Sequence, residues 1–298
     1  MTTIPEAAQD VFGKREPGKP ISSYFGRPVL YALLIGIGVV LFTPFILAAL
    51  GTFKTNTEII AWPPKFLPTK WLTENWSKTW NTDMGAGGTF PRWLFNTAFL
   101  SVTTASLKVI GCSMAAYAFS RLKFPGRDLA LNFMLASMMI PGAVTLIPGY
   151  VLMSKLKLIN TFWSLILPGI VDAGAIFMLT QFFKSIPRDL EESAHMDGAS
   201  QFKIYKDVIL PLARPALLTV FILQFQGMWN NFLTPLLYID SPRLWVLNVA
   251  LSNFQQQYKS SWNLTLVGAM FNAIPVLVLF FLFSKYYIEG VAYAGVKG

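Results

Sequence analysis

Six blocks of apolar residues, each long enough for a helix that crosses a bilayer, restrict what this chain can fold into more than any other feature. A hydrocarbon core about 30 Å thick needs ~20 apolar residues of helix. Val29 to Gly51 meets that without a charge, and Leu94 to Phe119 with Lys108 as its one charge. Leu129 to Met153 is interrupted by Pro141 and Pro148, and Phe162 to Phe183 holds Asp172. A fifth block, Val208 to Ile239, is entered through Pro211, Arg214 and Pro215; the sixth is Leu266 to Ile288. A membrane barrel would instead alternate polar and apolar residues in short segments. The expected fold is an all-α membrane protein with six transmembrane helices. Composition agrees: of 298 residues only 13% are charged, against roughly a quarter in soluble chains, and one soluble core of this size could not hide the deficit.

Residues 1–28, rich in Pro, Gly and charge, read as a separate tail with the composition of a disordered segment. Residues 29–298 form the membrane domain. The first apolar block begins late and exceeds the length of a leader's apolar region, so a cleaved signal peptide is not expected. Lys and Arg in the short loops set the orientation. Lys14, Arg15, Lys19 and Arg27 precede the first span; Arg121, Lys123 and Arg127 follow the second; Lys184, Arg188, Lys203 and Lys206 follow the fourth. The third loop has only Lys155 and Lys157, and the fifth only Arg243 and Lys259. Both termini are therefore expected in the cytoplasm. Thr52 to Trp93 then lies outside, with Trp62, Trp71, Trp76 and Trp80 as interface anchors or as a docking surface for an external partner.

Several chemistries lose ground. One cysteine, Cys112, and one histidine, His195, leave neither a disulfide nor a cysteine metal cluster, and no metal site or catalytic set is expected. The net charge of +9 is spread between apolar blocks rather than gathered in a patch, which argues against nucleic acid. There is no G-x-x-x-x-G-K-S/T sequence to cradle phosphates.

The loop from Ser185 to Pro211 carries the most information. Ser185 or Ile186 can cap a helix, Pro187 suits its first turn, and Asp189, Glu191 and Glu192 favour its positive end. Gly198 is the expected stop. Phe202, Tyr205, Ile209 and Leu212 then recur at helical spacing and lead into the fifth span. The first helix, about ten residues, is too short to cross a bilayer; it is an amphipathic connector between residues 184 and 207.

Polar groups that lipid would reject mark a pathway or interhelical hydrogen bonds. Gln224, Gln226, Trp229, Asn230 and Asn231 on the fifth span are the pathway candidates, because amides supply both donors and acceptors beside aromatic faces. Lys108 and Asp172 each lie eleven residues before Phe119 and Phe183, the cytoplasmic ends of their spans, so they can pair at similar depth. Such a pair is structural, or a gate or ion site.

The loop closely resembles the EAA loop of binding-protein-dependent ABC importer permeases: Glu192-Ser193-Ala194, Gly198, Val208, Leu210 and Pro211 fall on the positions of that motif. Asn96-Thr97, the run Ala115 to Arg127, and the ending Ala294 to Gly298 are similar to the carbohydrate branch, in particular the smaller six-span permease of maltose-type importers. The resemblance implies the type I importer permease fold and a coupling helix seated on a cytoplasmic ATPase. Glu191, Glu192, Ser193, Ala194, Asp197, Gly198 and Pro211 would be its coupling residues, with both glutamates pairing with basic groups of the ATPase. It implies a transport subunit rather than an enzyme, with no cofactor on this chain and ATP and Mg on the partner ATPase. The implied partners are a second permease, an ATPase dimer, an external solute-binding protein and a carbohydrate substrate. An ion-coupled secondary transporter of a small polar solute is the alternative. It leaves the Glu192–Pro211 pattern unexplained, and the chain shows no paired halves.

Overall fold

A computed structural model describes residues 22–258 and 261–295, with side chains over residues 28–258 and 261–281. Residues 1–21 of the tail and the closing Val296 to Gly298 lie outside the described residues. Among the described residues there is no strand, only an isolated bridge between Asp83 and Thr89. Four helical stretches are long and apolar enough to cross a membrane: Pro28–Gly51, Phe90–Arg121, Trp163–Ser185 and Trp262–Phe281. Counting each of two sharply bent helix pairs as one span gives six.

Helix α1 (Ser22–Gly51) belongs, up to Leu50, to a unit of its own. From Val29 onward it carries no charge on any side, the pattern of a helix solvated by lipid. The second unit starts at Gly51. Two short helices follow, α2 (Asn56–Ile60) and α3 (Glu74–Trp80). Buried Asn75 ties this segment together: its Nδ2 donates to the carbonyls of Thr52 and Lys54 at 2.8 and 3.0 Å.

The centre of the second unit is α4 (Phe90–Arg121), which at 32 residues is about 48 Å long. Its buried face is lined with small residues, Ser101, Thr104, Ala105, Cys112, Ser113, Ala116 and Ser120. Small side chains let neighbouring backbones approach closely, which is how helices associate in lipid. Beyond it, α5 (Arg127–Ser137) and α6 (Gly142–Lys155) meet at 101°. Of the two prolines expected to interrupt this span, Pro141 sits at the break as the N-cap of α6, whereas Pro148 lies inside α6.

Next, α7 (Trp163–Ile166), a 3₁₀ turn and α8 (Ala173–Ser185) make up the fourth stretch. Then come α9 (Asp189–Met196), α10 (Gln201–Ile204), a π turn over Tyr205–Ile209, and α11 (Leu210–Leu212). The chain bends by 78° into α12 (Arg214–Trp229). Pro211 and Pro215 flank that bend, and neither can donate to the preceding turn. Finally α13 (Leu233–Tyr238), α14 (Leu247–Gln257) and α15 (Trp262–Gly295) complete the order.

The largest apolar cluster joins α4, α8 and the α10–α12 run through Cys112, Ala116, Leu179, Phe183, Ile204, Ile209 and Val220. Here the expected helical stripe needs correction. Tyr205 and Ile209 are buried, but Phe202 and Leu212 are exposed, and Ile204 and Ala213 take the inward places. The π turn is the reason, since its wider ring displaces the α-helical register between the two ends of the run.

Candidate functional site

The exposed connector at the Arg121 end of α4 is built residue by residue. Ile186, preceding Pro187, is held extended, as steric clash with a proline ring requires. The helix therefore starts at Asp189, not at the expected Ser185–Pro187, and the backbone N–H groups of Glu191 and Glu192 donate to the Arg188 carbonyl. It ends as expected at Gly198, whose φ of +76° is a left-handed conformation that L side chains resist. Ala199 N donates to Ala194 O at 2.9 Å and Gly198 N to His195 O at 3.0 Å, a complete Schellman closure. Asp197 is the C-cap and Ser193 Oγ donates to Asp189 O, while Ser200 caps α10 by accepting from Lys203 N.

The connector is fixed to the bundle by one cation. Arg121 Nε lies 2.8 Å from Glu191 Oε1, with side-chain exposures of 4% and 12%. Its Nη2 also donates to the carbonyls of Phe183 and Ile186, the last polar groups of α8. One guanidinium thus joins α4, α8 and α9. Glu191, expected with Glu192 to face a partner's basic groups, instead points inward and is ion-paired within the chain. Glu192 and Asp197 are exposed, and Met196 is 88% exposed. Ala194 packs against the core cluster. A second polar link runs from Tyr117 OH to Gln201 Oε1 at 2.8 Å, with Gln201 Nε2 3.1 Å from His195 Nε2.

Midway along the bundle, Lys108 Nζ lies 3.7 Å from Asp172 Oδ2. Sequence periodicity misses a second role of this aspartate. The fourth stretch is not one continuous helix, and Asp172 is the N-cap of α8, its Oδ1 accepting from Ala175 N at 2.7 Å.

At the Phe90 end of α4, Asn96 and Thr97 clamp the segment after α13. Asn96 Nδ2 donates to the carbonyls of Arg243 and Trp245 at 3.0 and 2.9 Å, and Leu247 N donates to Thr97 Oγ1 at 2.8 Å. Trp93 Nε1 adds a bond to Pro242 O, and Asn160 Oδ1 accepts from Asp240 N and Ser241 N.

The fifth-span candidates separate here. Trp229 is only 2% exposed; it stacks on Phe225 and donates to Asn272 O at 3.1 Å, so it is a packing residue rather than a pathway wall. The expected continuous span ends at that residue. Asn230 is exposed beyond it and Asn231 Oδ1 accepts from Thr234 N in α13. Gln224 and Gln226 are half-buried on α12. Of the large apolar residues after α1, Trp76 and Trp80 pack on Phe271 of α15, while Trp62, Phe66, Leu67 and Trp71 remain exposed.

Residues 109–289 match the model of the family described as binding-protein-dependent transport system inner membrane component. An arabinooligosaccharides transport system permease protein, AraQ of Bacillus subtilis, is 32% identical over 257 residues, covering 86% of this chain and 90% of that one. An sn-glycerol-3-phosphate transport system permease protein, UgpE of Rhizobium meliloti, is 29% identical over 277 residues, covering 92% and 97%. A chain from a bacterial ABC transporter involved in the import of the acidic polysaccharide alginate shares the fold, with a TM-score of 0.76 at 23% identity over 89% of this chain and 97% of that one.

Proposed function

The chain belongs to the family of binding-protein-dependent transport system inner membrane components, and from that membership we propose that it forms half of the translocation pathway of an ATP-driven carbohydrate importer. The observation that carries the mechanism is the mounting of α9. A short helix with exposed Glu192, Asp197 and Met196 is held to α4 and α8 by the Arg121–Glu191 pair. A partner ATPase, binding ATP and Mg, moves α9 when its two copies close, and the buried pair passes that motion to the spans as a rigid-body shift. Glu192 and Asp197 are the charged contacts with the ATPase, and Met196 is the apolar one.

Both termini and α9 lie on the cytoplasmic side of the inner membrane. The opposite end faces an external solute-binding protein, with Trp62, Phe66, Leu67 and Trp71 as candidate contacts. A second permease completes the pathway. The carbohydrate class is supported by the similarity to an arabinooligosaccharide permease and by the uncharged amides near the outer end of α12.

The test is to purify the tagged chain from its native membrane in mild detergent and identify what accompanies it. A Walker-A ATPase and a second multi-span subunit are expected, and a Glu192→Lys, Gly198→Trp variant should lose the ATPase while keeping the other permease. A chain that purifies alone and moves solute down an ion gradient would make it a secondary transporter instead.

A further inference from the structure

Asn230, Phe232, Asn248, Leu251, Ser252 and Gln255 line an open cleft of about 380 Å³ at the end of α12. The volume sits at the lower end of small-ligand sites, which run to about 300–1,000 Å³. Four of these residues, Asn248, Leu251, Ser252 and Gln255, recur at helical spacing and make one face of α14. The other face, Leu247, Ala250 and Phe254, is buried in the core. The helix is thus pinned on one side and offers a row of amides and a hydroxyl on the other. Its position is fixed from below: Asn248 Nδ2 donates to Trp229 O at 3.0 Å, and Thr97 holds the start of α14. Asn230 is held likewise, by donation to Gln226 O at 3.0 Å. With an amide hydrogen of each spent on the main chain, both side-chain oxygens are pre-set as acceptors.

We propose that this cleft is a saccharide subsite of the translocation pathway, selective for neutral sugars over phosphorylated or uronate ones; this rests on the importer function above. Amide and hydroxyl groups supply donors and acceptors for sugar hydroxyls, and Phe232 and Leu251 supply an apolar floor for the C–H face of a ring. Discrimination follows from what the lining lacks. Phosphate and carboxylate give up hydration on entering a cleft and need Arg or Lys forks in return, and none of the six lining residues is charged. The subsite differs from the pathway expected along the fifth span, because Trp229 is buried and the sugar-facing groups come mainly from α14.

The experiment uses the whole complex in proteoliposomes with its binding protein, offered arabinobiose, sn-glycerol 3-phosphate and an alginate trisaccharide in turn. Sugar delivered and ATP hydrolysed are measured together. Arabinobiose is expected to be imported and the two anions not. A Ser252→Leu, Gln255→Leu variant should deliver about 3- to 10-fold less sugar per ATP, the loss of one or two hydrogen bonds, with ATP hydrolysis unchanged. Gln257→Leu, on α14 but outside the cleft, should behave as wild type. ATP-dependent import of arabinobiose that ignores the Ser252 and Gln255 changes overturns the subsite and leaves the importer standing. Preferential import of either anion overturns the neutral selectivity. Absence of ATP-dependent import of all three solutes, from a complex whose ATPase still turns over, removes the carbohydrate importer and the subsite with it.

Discussion

Arg121 and Glu191, seventy residues apart in the chain, meet at 2.8 Å with almost no access to solvent. Breaking a buried pair from one side leaves an uncompensated charge and costs about 3–5 kcal/mol, whereas replacing both partners by apolar groups is often neutral. Arg121→Met and Glu191→Leu should each lower the unfolding temperature of the purified complex and release the ATPase, and the double variant should recover part of the temperature. It should recover neither the rest nor full coupling, because Arg121 also holds the carbonyls at the end of α8. A double variant as unstable as the sum of the singles would show that the two do not act as a pair.

Lys108 and Asp172 separate charge from capping. Asn caps a helix about as well as Asp, and Ala costs ~1 kcal/mol. Asp172→Asn should therefore keep the α8 N-terminus but strand Lys108, lowering the membrane-inserted yield, and Lys108→Met should restore it. Asp172→Ala should stay impaired beside Lys108→Met, since the bond to Ala175 N is lost as well. Equal rescue of Asn and Ala variants would mean that the cap contributes nothing.

Gly198 can be tested without filling space, since an added Cβ there meets nothing within 4 Å. Gly198→Ala should still weaken the end of α9, by about 1–2 kcal/mol of left-handed backbone strain. Gly198→Asn should fall between Ala and wild type. Hydrogen exchange at Gly198 and Ala199 reads the Schellman bonds directly; unchanged protection in the Ala variant would refute the backbone argument.

Asn96 is 2% exposed and serves two carbonyls. Asn96→Leu should cost about 1–3 kcal/mol for the acceptors left without a donor, and it should open the segment around Arg243 to trypsin. Resistance equal to wild type would show that Trp93 and Asn160 suffice to hold it.

Outside the spans, hydrogen bonds from Thr69 and Thr55 hold the Glu58 carboxyl down at about 2. A depressed carboxyl contributes fully above its unfolded value of 4.5, and the contribution is lost as pH falls toward 2. Protection of the Thr55 and Thr69 amides against hydrogen exchange, taken relative to a free amide at the same pH, should fall across that window in wild type. In Glu58→Gln it should be low at neutral pH and flat below it.

The sequence by itself settled the fold class, because long uncharged blocks have no stable solvent but lipid. It also located the connector, because Gly198 and the acidic first turn of α9 are local chemistry: a left-handed stop and charges at a helix N-terminus need only near neighbours. Even Lys108 and Asp172 could be matched by depth, since helical rise is constant. What tertiary structure alone decided is which way side chains face. Glu191 and Glu192 are adjacent and chemically alike, yet one is turned inward by an arginine seventy positions earlier and the other is left exposed. Trp229 resembles a pathway residue until Asn272 and Phe225 are seen to enclose it. The amide face of α14 is not legible in the sequence because its helix is too short and polar to register as a span, and its spacing acquires meaning only when the opposite face is buried. The π turn at Tyr205–Ile209 shifts the inward positions by an amount no fixed period can supply. Period and charge are written along the chain, whereas facing depends on contacts between segments far apart in it.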